Sequence, residues 1–320
     1  MRSILLTGAT GFVGGALLRR IAKDEIAITV AARREFDGFP SRARVSRISD
    51  IGRDTDWGAA LRGQDVVVHC AARVHVMKDR SADPLAAFRA VNVVGTLNLA
   101  RQAAIAGVRR FIFLSSIKVN GEITTLGHPF TADDLPMPQD PYGISKHEAE
   151  QGLRDIAAET GLEVVIIRPP LVYGPGVQAN FAALLRAVAH GIPLPLGAIN
   201  NRRSLVALDN LVDLIVTSIA HPAAANHTFL VSDGEDLSTT QLLQRMGQAL
   251  GRSARLIPVP SKLIELGATL VGKPTLAHRL CGSLQVDIAK TRQILGWQPP
   301  LSVDDGLKKA AEGYRREASV

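Results

Sequence analysis

The sequence predicts an α/β chain: a doubly wound parallel sheet joined to a smaller C-terminal α/β domain. Three observations predict it. Over residues 1–168 short β-branched runs alternate with helical stretches, a glycine-spaced turn links the first strand to the first helix, and the alternation stops at Arg168-Pro169-Pro170. Strands separated by crossover helices pair in parallel and are covered on both faces.

Taken along the chain, strands are expected at 3–7, 26–31, 65–69, 111–115 and 164–168. Each is mostly apolar, the composition of a strand buried on both sides. Helices are expected at 14–22, 84–106 and 142–160, and Gly107 and Gly161 stand where left-handed caps end the last two. Past residue 168 the pattern is less regular. It holds Gly- and Pro-rich segments at 174–176 and 191–197, an apolar helix at 210–220, a strand at 227–232 and helices at 239–250 and 260–271.

Composition narrows the function. With 320 residues, 46% of them hydrophobic and 21% charged, and a mean hydropathy of +0.12, the chain can bury enough apolar surface to offset its conformational entropy. Cys70 and Cys281 are too few for a disulfide scaffold or a thiolate metal cluster, and no metal site is expected. The net charge of +7 comes with 28 arginines, which suit phosphate recognition. Only 4% of residues are aromatic, against the stacking that single-stranded nucleic acid needs, and no basic helix or zinc motif supports DNA binding. The N-terminal apolar stretch resembles a secretory signal but is broken by Gly8, Gly11, Gly14 and Gly15. The most apolar later run, 205–220, carries Asp209 and Asp213, so no membrane span is expected and the chain reads as soluble and cytoplasmic.

Thr7-Gly8-Ala9-Thr10-Gly11-Phe12-Val13-Gly14 joins the first strand to the first helix. Without Cβ atoms such a turn takes positive φ and lets the backbone approach a pyrophosphate, whose charge suits the free N–H groups of a helix N-terminus. As Thr-Gly-Ala-Thr-Gly-Phe-Val-Gly it resembles the extended short-chain dehydrogenase/reductases, the NAD-dependent epimerase/dehydratase family. The resemblance implies a Rossmann domain at 1–168 and a nucleotide-sugar domain at mainly 169–320, with 205–232 returning to the first. It places Gly8, Thr10, Gly11, Phe12 and Val13 at the cofactor.

The end of the second strand bears on which dinucleotide binds. A chain selecting NAD places Asp or Glu about 20 residues beyond the loop, on the ribose hydroxyls. Here Ala31-Ala32-Arg33-Arg34 offers no acid and two guanidinium groups, which suit the 2′-phosphate of NADP. NADPH is therefore expected over NAD, the other reading being two solvated arginines. The resemblance further places Asp50 and Ile51 at the adenine, Cys70, Ala71 and Ala72 along the pyrophosphate and nicotinamide ribose, Arg168 beside the cofactor, and Arg73 toward the substrate. His69 and Cys70 end a strand buried on both faces and read as packing residues.

Tyr142-Gly143-Ile144-Ser145-Lys146 puts a phenol and an ammonium on one face of a helix. The cation is expected to lower the Tyr142 pKa toward neutrality, giving an acid or base usable at cell pH. Leu114-Ser115-Ser116 ends the preceding strand, and in the resemblance Ser116 hydrogen-bonds the reacting oxygen, Tyr142 transfers the proton, and Lys146 tunes Tyr142 and holds the nicotinamide ribose. Asn92 matches a position that orders the helix beneath the site. Ile117 and Lys118 stand where related dehydratases carry acids, so elimination of water is not expected and hydride chemistry at a carbonyl or carbinol remains. Lys118 points toward substrate or is solvated; the sequence leaves both open.

In the second half the resemblance implies diphosphate contacts from Asn180 and Arg203, with Arg279 as a second guanidinium or a solvated one. The segments 115–121, 201–206 and 282–287 are most similar to bacterial O-antigen enzymes, UDP-glucose 4-epimerases and UDP-N-acetylquinovosamine dehydrogenases acting as 4-ketoreductases. The missing acid and Arg33-Arg34 favour an NADPH-dependent reductase of a UDP-4-keto-6-deoxy-2-acetamido hexose in surface-polysaccharide synthesis. An NAD-dependent UDP-hexose 4-epimerase and a non-catalytic NADP sensor stand as alternatives. Apolar stripes on 84–106 and 142–160 imply a homodimer through a four-helix bundle.

Overall fold

The computed structural model describes residues 3–34, 38–74, 83–270, 272 and 274–318. The first half runs β1 (Ser3–Thr7), α1 (Phe12–Ile21), β2 (Ala27–Ala32), β3 (Ala43–Arg47), α2 (Gly58–Leu61), β4 (Val66–His69), α3 (Pro84–Arg89), a π-helical turn (Ala90–Gly95), α4 (Thr96–Ile105), β5 (Arg110–Leu114), α5 (Pro141–Thr160) and β6 (Glu163–Arg168). The second half adds β7 (Leu171–Tyr173), α6 (Ala179–Ala189), β8 (Arg203–Ala207), α7 (Leu208–Ala220), β9 (Thr228–Leu230), β10 (Asp236–Leu237), α8 (Thr239–Ala249), α9 (Ser261–Leu270), α10 (Pro274–Cys281), α11 (Ala289–Leu295) and α12 (Val303–Ala318).

Seven strands form one sheet in the order β3-β2-β1-β4-β5-β6-β9, every pair parallel. This is the doubly wound α/β fold. Ile4, Leu5 and Leu6 at its centre are wholly buried, because helices cover both faces. Leu17, Ile21, Leu211 and Ile215 pack on one face, Leu99, Leu153 and Ile156 on the other. β3 carries no apolar run, since Ala-Arg-Val-Ser-Arg lies at the sheet edge with Arg44 and Arg47 exposed.

α5 is set by local chemistry. Asp140 accepts the Gly143 N–H at 2.7 Å, Pro141 opens the first turn, and Gly161 closes the helix at φ +77°. The stretch at 84–106 differs from one continuous helix: a π-helical turn interrupts it at Ala90–Gly95 and carries Asn92 inward.

A three-stranded sheet, β10-β8-β7, forms the second layer system, with Phe181, Leu185, Leu243, Met246 and Leu307 around it. The chain weaves between the two. β9 extends the main sheet beside β6, and Leu284, Val286, Ile288 and Trp297 join the same core as α1 and α7. Among the described residues no helix is long and apolar enough to cross a membrane.

Candidate active site

The strand order reverses between β2-β1 and β4, and the crevice over the carboxyl ends of those strands is where such sheets bind ligands. A cavity of 1810 Å³ lies there, larger than the roughly 300–1,000 Å³ that holds a compact ligand. Its floor is the glycine turn. Gly8 has φ +73°, and a Cβ on it would lie 2.7 Å from the Ala71 N, while a Cβ on Gly14 would lie 2.2 Å from the Gly8 O. The turn therefore closes onto the end of β4 only with glycine at both places. α1 then starts at Gly11 with no side-chain cap and no acid in its first turn, so its first N–H groups are left for an anion.

Arg33 and Arg34 follow β2 and line the far end of the cavity with Asp50 and Ile51. Arg53 joins them, a third guanidinium that sequence reasoning missed because nothing local distinguishes it from a surface arginine. Cys70, Ala71, Ala72 and Arg73 form the wall from β4, and the Arg73 guanidinium lies over the Phe88 ring, 5.6 Å from its centroid.

His69 is buried behind this wall, its Nδ1 2.8 Å from Thr7 Oγ1 and its Nε2 3.0 Å from Thr96 Oγ1. Burial, aided by the Lys146 charge, pushes its pKa down to about 3. Burial also drives the Cys70 thiol up to about 12, so neither group titrates near neutrality. His69 stays neutral in the folded chain while the unfolded chain protonates it below about 6.5. Between pH 6.5 and 3 the unfolded state thus binds the extra proton, and stability falls as pH falls, by at most about 1.4 kcal/mol per pH unit. Melting temperature measured across that window should show this slope, and His69→Asn should flatten it; equal slopes would contradict the assignment.

Ser116, Tyr142 and Lys146 converge on the same cavity beside Ser115. The two serines divide their tasks. Ser115 is buried and donates to Glu150 Oε1 at 2.6 Å, whereas Ser116 is half-buried at the cavity and caps the short turn at Ile117–Val119 by accepting the Lys118 N–H. Lys146 is buried, donates to the Leu114 carbonyl at 2.8 Å, and sits over the Phe113 ring at 4.4 Å. Burial lowers its pKa to about 8, opposed by Cys70 and Glu150. The expected lowering of the Tyr142 pKa is not found. The Lys146 ammonium is turned to Leu114 and lies 5.9 Å from the Tyr142 ring centroid, so burial, with Asp140, raises the phenol above its usual value.

Several expected contacts are corrected. Arg168 is buried away from the cavity, its Nη2 2.5 Å from Glu150 Oε2, its Nε 2.9 Å from Glu150 Oε1 and its Nη1 2.9 Å from Asn120 Oδ1. All three of its nitrogens are engaged within the protein, and it does not line the cavity. Lys118 pairs with Asp140 and with Glu122 at 2.8 Å and does not line the cavity. Asn92 does not line the cavity. Its Oδ1 accepts the Arg73 N–H at 2.8 Å and its Nδ2 donates to the Arg73 carbonyl and to Ser145 Oγ, each at 3.0 Å, pinning the segment after β4 to α5. Asn180 is exposed on α6, and Gln178, just before that helix, lines the cavity instead. Arg203 donates to the Gly282 carbonyl at 2.9 Å, and burial followed by the Arg279 charge lowers its pKa. The Arg279 guanidinium is near enough for its charge to act on Arg203, and neither residue lines the main cavity.

Comparison with known proteins follows from this geometry. The sequence matches the NAD dependent epimerase/dehydratase family over residues 4–232. The chain belongs to that family. It is an enzyme of the extended short-chain dehydrogenase/reductase type, as its glycine turn and Ser-Tyr-Lys site imply. It is 50% identical over 318 residues to a UDP-glucose 4-epimerase of Vibrio cholerae, covering 98% of this chain and 95% of that one. It is 29% identical to an N-acetyl-alpha-D-glucosaminyl-diphospho-ditrans,octacis-undecaprenol 4-epimerase of Escherichia coli O157:H7, covering 97% and 94%. The fold of a Thermotoga maritima UDP-glucose 4-epimerase crystallised with UDP-glucose superposes with a TM-score of 0.78 at 23% identity, covering 99% of both chains. A Bacillus cereus UDP-glucuronic acid 4-epimerase in complex with NAD superposes equally well, at 0.78 and 21% identity over 98% of this chain and 99% of that one.

Proposed function

We propose that the enzyme is an NADPH-dependent 4-ketoreductase of a UDP-4-keto-6-deoxy-2-acetamido hexose, acting in bacterial surface-polysaccharide synthesis. The observation that carries this reading is one cavity with Ser116, Tyr142 and Lys146 at one end and Arg33, Arg34 and Arg53, with no acid at the end of β2, at the other. The glycine turn and the first N–H groups of α1 would hold the pyrophosphate, the three arginines a 2′-phosphate, and Lys146 the nicotinamide ribose. A bound nicotinamide dinucleotide supplies or accepts hydride. Tyr142, kept protonated by burial, is placed to give its proton to an alkoxide developing at C4, and Ser116 to hydrogen-bond the same oxygen. Arg203 and Arg279, near enough for the charge of one to act on the other, suit the substrate diphosphate. A homodimer through the helical faces of 84–106 and α5 belongs to the same proposal, and a sedimentation mass of one chain would remove it.

The 50% identical relative favours a second reading, an NAD-dependent UDP-hexose 4-epimerase, and the NAD named in the complexes of structural neighbours points the same way. Incubation with NADPH and the 4-keto sugar nucleotide separates the two. The reductase consumes one nicotinamide per product, whose C4 configuration NMR reads; multiple turnovers of UDP-glucose to UDP-galactose with no net nicotinamide change would establish the epimerase. Arg33→Ser with Arg34→Ser should raise KM for NADPH about 10- to 100-fold, the worth of one or two charge-assisted bonds, and leave NADH little changed. Equal effects on both nucleotides would return these arginines to solvent.

A further inference from the structure

The second domain carries an apolar and basic face that the cleft does not use. No residue of the ten-residue helix α9 is buried: Ile264 and Ala268 are partly covered, while Leu263, Leu266 and Leu270 are 58%, 58% and 79% exposed. Spaced three and four apart, these leucines form one stripe. Ile257 and Ile192, on neighbouring strands of chain joined by the Ile257 N–H to Leu194 carbonyl bond, are also half exposed.

The charge of the surrounding segment is mostly positive. Residues 251–282 hold Arg252, Arg255, Lys262, Lys273 and Arg279 against Glu265 alone, five positive and one negative, so a net +4 of the chain's +7 falls in a tenth of its length. Arg255 and Lys262 are exposed, and among the described residues neither pairs with a carboxylate. A second copy is a poor occupant, since a two-fold contact would set this positive face against itself. An exposed apolar stripe in a mostly basic segment matches a surface that is anionic outside and apolar beneath.

We propose that α9 and its basic flanks seat the enzyme on an anionic phospholipid bilayer. Leu263, Leu266 and Leu270 enter the boundary between headgroups and acyl chains, and Arg255 and Lys262 meet lipid phosphates. At roughly 15 Å the helix lies in the interface and does not cross it. The proposal is independent of which sugar the cleft takes.

Co-sedimentation of the full chain with vesicles of phosphatidylglycerol and phosphatidylethanolamine, against pure phosphatidylcholine, tests it. Anionic vesicles should retain about ten-fold more protein at low salt, with the excess lost at high salt. Leu263→Ser with Leu266→Ser should lower that retention about ten-fold while the melting curve and turnover of a soluble sugar nucleotide stay unchanged. Lys262→Glu should weaken it too. Equal retention on both vesicle types overturns the proposal, as does a leucine variant that binds as well as the parent, since attraction would then be charge alone. A solution mass that halves in the leucine variant also overturns it, by putting a second copy on this face.

Discussion

Tyr142→Phe is expected to lower kcat by about 10²- to 10⁴-fold while nicotinamide dinucleotide binding changes little. The expectation rests on where the hydroxyl sits and on its protonation. Burial and the nearby Asp140 raise the Tyr142 pKa, so the free enzyme carries a neutral phenol, the form that can deliver a proton to a reduced carbonyl. The ring itself is held by packing, edge-on to Phe88 with centroids 6.0 Å apart, and phenylalanine preserves that contact. Lys146 keeps its bond to Leu114 in the variant, so that side of the cavity is undisturbed. Steady-state turnover and dinucleotide binding by fluorescence titration check the two halves of the prediction. Unchanged turnover would take Tyr142 out of the reaction. Loss of nucleotide binding in step with turnover would make its role structural.

The residues readable from sequence are those whose neighbours in space are also neighbours in the chain. The glycine turn is local: Gly8, Gly11 and Gly14 lie within seven residues and between a strand and a helix that both announce themselves. Tyr142 and Lys146 share a helix face by spacing, and Ser116 follows the end of an apolar strand of the sheet that this helix covers, so all three reach one cavity. Long cations were not readable in the same way. Whether Lys118 reaches the cleft or turns to a carboxylate depends on Asp140, 22 residues on, and the fate of Arg168 depends on Glu150, 18 residues back. Lowering of the Tyr142 pKa failed for a related reason. The i, i+4 spacing puts Lys146 on the right face but does not say that its ammonium will bond the Leu114 carbonyl. β3 was silent because an edge strand needs no apolar run, and the π-helical turn at Ala90–Gly95 because its pattern of apolar residues is that of a helix.

Breaking the Glu150–Arg168 pair should have the largest effect on stability. Glu150 and Arg168 are 0% and 1% exposed and are joined by two bonds, with Ser115 and Asn120 taking the remaining arms. Arg168→Met leaves the Glu150 carboxylate in a low-dielectric site with Ser115 and the exposed Arg154 as its partners, and a loss of about 3–5 kcal/mol is expected. Glu150→Leu strands the guanidinium and should cost as much. The double variant should recover much of either loss, because removing both charges also removes both desolvation costs. Urea unfolding of the parent, both single variants and the double variant measures the cycle. Additive losses would mean that the pair is not coupled. The same experiment separates support from cofactor contact. Glu150 holds Ser115 next to Ser116 and lies one helical turn beyond Lys146, so the double variant, though folded, should lose turnover while its NADPH affinity is retained. An Arg168 that touched the cofactor would instead lose NADPH affinity in every variant lacking it, whether or not Glu150 had been replaced.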